Sequence, residues 1–142
     1  MTDGSRVAPI DFRIATTADP EEAWQAVTDP ARVAEWFTDA TALGPVGSPY
    51  RLDFGDASLV GGVVLAVDPG RAFAHSWRWE GSDASETTTV TWSVEPRDGG
   101  GSTIRLVHDG WDEAGLDAGA RDDHEGYWSG YLDDLLDVLG EA

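Results

Sequence analysis

An α+β fold is what this sequence predicts, with one curved antiparallel sheet wrapped around a long C-terminal helix and two short helices after the first strand. Three observations carry that reading: two Asp-Pro helix starts near the beginning, a run of short period-two segments from Tyr50 to His108, and a helical stripe from Leu116 to Leu139. Short strands joined by turns favour an antiparallel sheet over a parallel α/β one.

The elements follow in order. Ile10, Phe12 and Ile14 alternate with Asp11 and Arg13, the pattern of a half-buried strand. Asp19-Pro20-Glu21-Glu22 then supplies an N-cap acid, a proline at the first helical position and a glutamate three residues after the cap. Ala23, Trp24 and Val27 form the face behind it. Asp29-Pro30 repeats the signal, so the first helix is short and a second begins at once, carrying Val33, Trp36 and Phe37 at i, i+3, i+4.

From Tyr50 the period becomes two. Tyr50, Leu52 and Phe54 alternate with Arg51 and Asp53, Gly55-Asp56 reads as a turn, and Leu59 to Val67 is a strand. Within it, Gly61-Gly62 marks a bulge or a close backbone approach. Asp68-Pro69-Gly70-Arg71 is a turn by composition. Phe73, His75, Trp77 and Trp79 share one face of the next strand; Val90, Trp92 and Val94 share a face of another, and Ile104, Leu106 and His108 of the last. Gly99-Gly100-Gly101 between these two reads as a hairpin turn and not a phosphate cradle, since no helix start follows it. The final stripe, Leu116, Ala120, His124, Tyr127, Trp128, Tyr131, Leu132, Leu135 and Leu139, faces away from Asp122, Glu125, Asp133, Asp134 and Asp137. Gly119, Gly126 and Gly130 each lower the helix propensity by roughly 1 kcal/mol relative to alanine, which packing of the stripe must offset.

Composition excludes several functions. The chain has 142 residues, 27 acids, nine basic residues that are all arginine, no cysteine and a net charge of -18. It reads as a single domain over 1–142 with an ordered core from about residue 9 to residue 140. Without cysteine there is no disulfide, thiolate catalysis or zinc ribbon. No apolar run approaches the roughly 20 residues of a membrane span, and Met1 to Arg6 leads into no signal-peptide core. The expected setting is therefore cytoplasmic, with no membrane insertion. A pI near 4.1 with scattered arginines argues against nucleic acid as a partner, since phosphate binding needs clustered positive charge. Because the acids are dispersed from Asp3 to Glu141, they read as a solvated coat. The folded state should then tighten as salt screens its self-repulsion. Melting temperature is expected to rise between dilute buffer and molar salt, and a flat response contradicts the reading.

A family resemblance rests on order and spacing. Asp19-Pro20-Glu21-Glu22-Ala23-Trp24, Thr28-Asp29-Pro30 and Trp36-Phe37 are followed by Val46-Gly47, Gly62-Val63, Val67-Asp68-Pro69 with Arg71, and Val90-Thr91-Trp92. Gly101-Ser102-Thr103, Leu106-Val107-His108-Asp109-Gly110-Trp111 and Gly126-Tyr127-Trp128 close it, ahead of Leu132 and Leu135. Together these resemble the SRPBCC (START-like) superfamily, in the branch related to the activator of heat-shock-protein-90 ATPase. The resemblance implies a helix-grip fold with a cavity between sheet and C-terminal helix, in which members bind hydrophobic or aromatic small molecules, lipids or polyketides. Some members are enzymes. Co-chaperone activity belongs to particular eukaryotic members with additional domains and is not carried over.

The candidate ligand-binding residues are Trp36, Phe54, Phe73, His75, Trp77, Trp92, His108, Trp111, Tyr127, Trp128 and Tyr131. Rings on the sheet face and on the helix stripe line an apolar pocket or fill the core; the fold favours a pocket for the set. Trp79 falls at a strand end and is given less weight. His108 and Asp109 are neighbours on a strand and point to opposite faces, so the pair does not make a triad. His75 has still less context for catalysis. Asp122-Asp123-His124-Glu125 fans around a helix and does not converge on a metal, and position 128 is tryptophan where a zincin needs histidine. No G-x-S-x-G elbow, P-loop or dinucleotide fingerprint occurs. Arg51, Arg78 and Arg105 are expected to pair with neighbouring acids. The expected function is binding of a hydrophobic small molecule, with no cofactor and no metal. The alternatives are a cyclase, dehydratase or hydrolase on an aromatic or polyketide substrate, and a chaperone-associated interaction module. A homodimer stays open.

Overall fold

The computed structural model describes residues 7–142; the reading of Met1 to Arg6 lies outside them. In chain order the elements are β1 (Ile10–Thr16), α1 (Pro20–Thr28), α2 (Pro30–Trp36), β2 (Asp39–Ala40), β3 (Pro49–Asp53), β4 (Leu59–Asp68), β5 (Ala72–Trp79), β6 (Thr88–Pro96), β7 (Ser102–Asp109) and α3 (Ala118–Leu139). One curved antiparallel sheet runs β1-β7-β6-β5-β4-β3-β2, and α3 packs against β1, α1 and α2. This is the helix-grip arrangement.

Capping chemistry starts the helices where the sequence places them. The Asp19 carboxylate accepts from the Glu22 N–H at 2.8 Å, and that of Asp29 from the Ala31 N–H at 3.1 Å. Asp29 also ends α1, its own N–H donating to the Gln25 carbonyl, so one residue closes the first helix and opens the second. Asp117 caps α3 in extended backbone and accepts from the Ala120 N–H at 2.9 Å. Leu116 therefore stands before α3, not on its stripe, although it still packs against the core.

The inward rows of the sheet form the core. Phe73 pairs with Trp92 and Trp92 with Leu106; His75 pairs with Val90 and Val90 with His108. Two departures from the expected pattern concern β2 and β4. β2 has only two residues, too few to show a period. In β4 the register shifts between Val64 and Ala66, which puts the bulge at Leu65, while Gly62 is a close approach: a Cβ there would stand 2.0 Å from the Ser76 carbonyl oxygen. Among the described residues no carboxylate is buried, and no helix is long and apolar enough to cross a membrane. Arg51 pairs with Glu80 at 3.2 Å and Arg105 with Asp11 at 2.7 Å, which holds the Asp11 carboxyl below its ordinary range. Arg78 instead donates to the Ser82 carbonyl.

Two of the helical glycines have no packing role. Gly126 and Gly130 are exposed, and a Cβ on either would meet nothing within 4 Å. Gly126→Ala and Gly130→Ala should each stabilise the fold by about 0.5–1 kcal/mol, since the helix gains propensity and loses no contact. Thermal melts of the single and double variants check this, and an unchanged or lowered midpoint contradicts it.

Candidate functional site

A cleft of about 440 Å³ opens between the β3–β4 turn, the end of β5, the residue after α2 and the N-terminal half of α3. Each wall has a local cause. Phe37 follows α2 with non-helical backbone (φ -121°, ψ -91°), which turns its ring out of the helix and against Tyr131, 4.7 Å between centroids. Phe54 leaves β3 and donates its N–H to the Ser58 carbonyl, closing a tight turn. In that turn Asp56 and Ala57 have φ of +52° and +63°, a left-handed backbone that costs an alanine roughly 1–2 kcal/mol. Trp77 and Trp79 are successive inward residues of β5 and meet edge to face at 5.8 Å. From α3, His124, Tyr127, Trp128 and Tyr131 face the same space at i, i+3, i+4, i+7 spacing.

Of the residues proposed from sequence, Phe54, Trp77, Tyr127, Trp128 and Tyr131 line the cleft. Trp36, Phe73, His75, Trp92, His108 and Trp111 do not; all six are nearly or wholly buried in the core. Alternation tells which way a strand residue points, but not whether it lies mid-sheet, under the helix, or at the end where the layers part. Tyr127 is 59% exposed and stands at the rim. Sequence reasoning passed over Phe37, Trp79, Asp56, Ser58, Asp123 and His124 as cleft residues. Its place at a strand end counts against Trp79 in the sequence, yet that end is where the cleft begins. The signal for His124 is its place on the aromatic stripe of α3, beside Tyr127, Trp128 and Tyr131.

Behind the cleft, histidines and tryptophans form a hydrogen-bonded network whose proton positions follow from donor chemistry. An indole N–H can only donate. Trp128 Nε1 donates to His108 Nδ1 at 3.0 Å, so that nitrogen is bare and His108 Nε2–H donates to Thr88 Oγ1 at 2.7 Å. The Thr88 hydroxyl then donates to the Trp77 carbonyl. Trp79 Nε1 donates to His124 Nε2 at 2.9 Å, so His124 holds its proton on Nδ1 and donates to the Ala120 carbonyl at 2.7 Å. His75 Nδ1–H donates to the Ser76 carbonyl.

His108 and His124, each accepting an indole N–H, are thus neutral, and the pKa values of all three histidines fall for the same reason. Burial pushes His75 from 6.5 down to about 4 and His108 well below its ordinary value; it also lowers His124, against the opposing pull of the Ala120 carbonyl and Asp123. Burial likewise raises the Tyr131 hydroxyl, helped by Asp134. One polar atom is left over: Trp77 Nε1 is buried and has no hydrogen-bond partner among the described residues. An orphaned donor of this kind costs about 1–3 kcal/mol. Among the described residues no group of three or more His, Asp or Glu side chains is placed to hold a metal ion.

Comparisons with known proteins agree with this architecture. The family model described as Activator of Hsp90 ATPase homolog 1-like protein matches residues 17–140. DynU16, from the dynemicin biosynthetic locus, superposes with a TM-score of 0.79 at 24% identity; the match covers 94% of this chain but 48% of DynU16, so the chain spans just under half that protein's length. CalU16 from Micromonospora echinospora gives 0.73 at 24% identity, covering 93% of this chain and 80% of that one. The Aha1 dimer from Colwellia psychrerythraea gives 0.74 at 24% identity, covering 93% and 96%. At such identities these structures share the fold. No curated protein matches the chain.

Proposed function

The chain belongs to the Activator of Hsp90 ATPase homolog 1-like family, and on that footing we propose that it binds a hydrophobic or aromatic small molecule, lipid- or polyketide-like, between its sheet and α3. The observation that carries the reading is the cleft itself: its volume suits a small ligand, and aromatic rings form its walls. A ligand with ring carbons would bury apolar area against those walls. The shared fold is compatible with such a role.

Binding is favoured over general-base catalysis by the histidines. His75 and His108 do not line the cleft, and His124, which does, has both ring nitrogens engaged. A base must reach the proton it abstracts with a free nitrogen.

The test is titration with flavonoid-like, polyketide and fatty-acid panels, followed by tryptophan fluorescence and amide NMR shifts. Saturable changes should centre on Trp77, Trp79 and Trp128, and Trp79→Ala should weaken them. If no compound of these panels, and no cationic aromatic probe, gives a saturable change, the reading fails.

A further inference from the structure

We propose that the ligand of this cleft carries a positive charge: an alkylammonium or quaternary ammonium group on an aromatic or hydrophobic body. The inference rests on the cleft being a ligand site and names the chemistry that site selects.

Aromatic walls are the first ground. Phe37 meets Tyr131 at 75° and Phe54 at 72°, and Trp77 meets Trp79 at 89°, with centroids 4.7, 5.4 and 5.8 Å apart. These rings lie in several planes, although Phe37 is also stacked on Trp36 at 14° and Phe54 is tilted against Trp79 and Tyr131 by 39° and 41°; wherever a ring face borders the cleft it presents the negative side of its quadrupole. A cation within about 6 Å of such a face is attracted by the ring quadrupole, and more strongly where water is partly excluded.

Charge at the rim is the second ground. Asp56 lies in the β3–β4 turn and Asp123 on α3, and both line the cleft. Among the described residues neither has an ion-pair partner, although a guanidinium is close by in sequence. Arg121 Nη1 pairs with Asp122 and Glu125, 3.0 Å from each, and donates from its other nitrogens to the Ala8 and Pro9 carbonyls, which leaves Asp123 to the cleft. No arginine lines the cleft, and its one histidine is held neutral by the Trp79 indole. A carboxylate ligand would therefore meet two like charges and no cation, whereas an ammonium would meet two solvent-exposed counter-charges whose pull weakens as salt rises.

The left-handed turn is the third ground. Aspartate tolerates a positive φ better than most residues, but Ala57 does not, and strain of this kind persists where neighbouring structure holds it. The strained turn carries Asp56 on the cleft.

Two isosteric probes test the proposal: benzyltrimethylammonium and its neutral carbon analogue neopentylbenzene, each titrated against tryptophan fluorescence at low and moderate salt. The ammonium should bind about tenfold tighter. Asp56→Asn and Asp123→Asn should each weaken it severalfold and leave neopentylbenzene unchanged. Asp98→Asn, an equal charge change in the β6–β7 turn, controls for the general acidity of the chain. Equal or tighter binding of neopentylbenzene overturns the proposal, as does an equal loss in the Asp98→Asn control. If neutral compounds bind and the ammonium does not, the charge assignment falls and the cleft remains a ligand site. If neither these probes nor the flavonoid-like, polyketide and fatty-acid panels bind, the cleft reading itself falls.

Discussion

Between pH 7.5 and pH 5.0 the urea midpoint of this protein should drop sharply, with net proton uptake on unfolding at the lower pH. The cause is the set of neutral histidines. Each has a folded pKa below its unfolded value near 6.5, so the unfolded chain binds protons first as pH falls. Stability is complete above about pH 6.5 and is lost as pH descends toward each folded pKa. For His75, whose folded value is about 4, the full loss is roughly 3 kcal/mol, of which roughly 2 kcal/mol is already gone at pH 5. His108 adds to it in the same direction. Since a domain of this kind has only about 5–15 kcal/mol in hand, the effect is large. Equal midpoints at the two pH values contradict the account. A His75→Leu variant should lose the His75 share of the slope even if it is less stable at neutral pH.

Replacing Trp128 should have the next largest effect, and two variants separate its roles. Trp128→Ala removes a ring that contacts Phe37, Trp77 and Trp92 within 5.7 Å between centroids, and should cost about 3–5 kcal/mol. Trp128→Phe keeps an aromatic ring but removes the N–H that His108 Nδ1 accepts. A buried acceptor is then orphaned, at about 1–3 kcal/mol. Denaturant unfolding with linear extrapolation measures both. A phenylalanine variant as stable as the parent would mean that the Trp128–His108 bond contributes nothing net.

Much of the fold is legible in the sequence because its signals are local. Asp19-Pro20 and Asp29-Pro30 announce helices through the caps they go on to make, and β5, β6 and β7 announce themselves by alternation. The elements that escaped have no local signature: β2 is a pairing of Asp39 and Ala40 with Asp53 and Leu52, and the Leu65 bulge is a shift of register against β5. For the site the divide is one of depth. Trp77 and His75 carry the same inward signal two residues apart on one strand, yet one lines the cleft and the other does not. Which applies depends on where Phe37 and α3 cover the sheet, and that is settled by contacts between residues far apart in sequence.

The edge of the sheet has a consequence for how the chain reaches this state. β1 pairs along its whole length with β7, and its far end is held by the C-terminal segment: Thr17 N–H donates to the Gly140 carbonyl, and Ala142 N–H to that of Ala15. Arg121 donates to the Ala8 and Pro9 carbonyls at the other end. The earliest strand thus finds its partners about a hundred residues later, a topology of high contact order that folds slowly for its size. During vectorial synthesis β1 waits unpaired until β7 emerges, and its Asp11 and Arg13 keep the waiting strand charged.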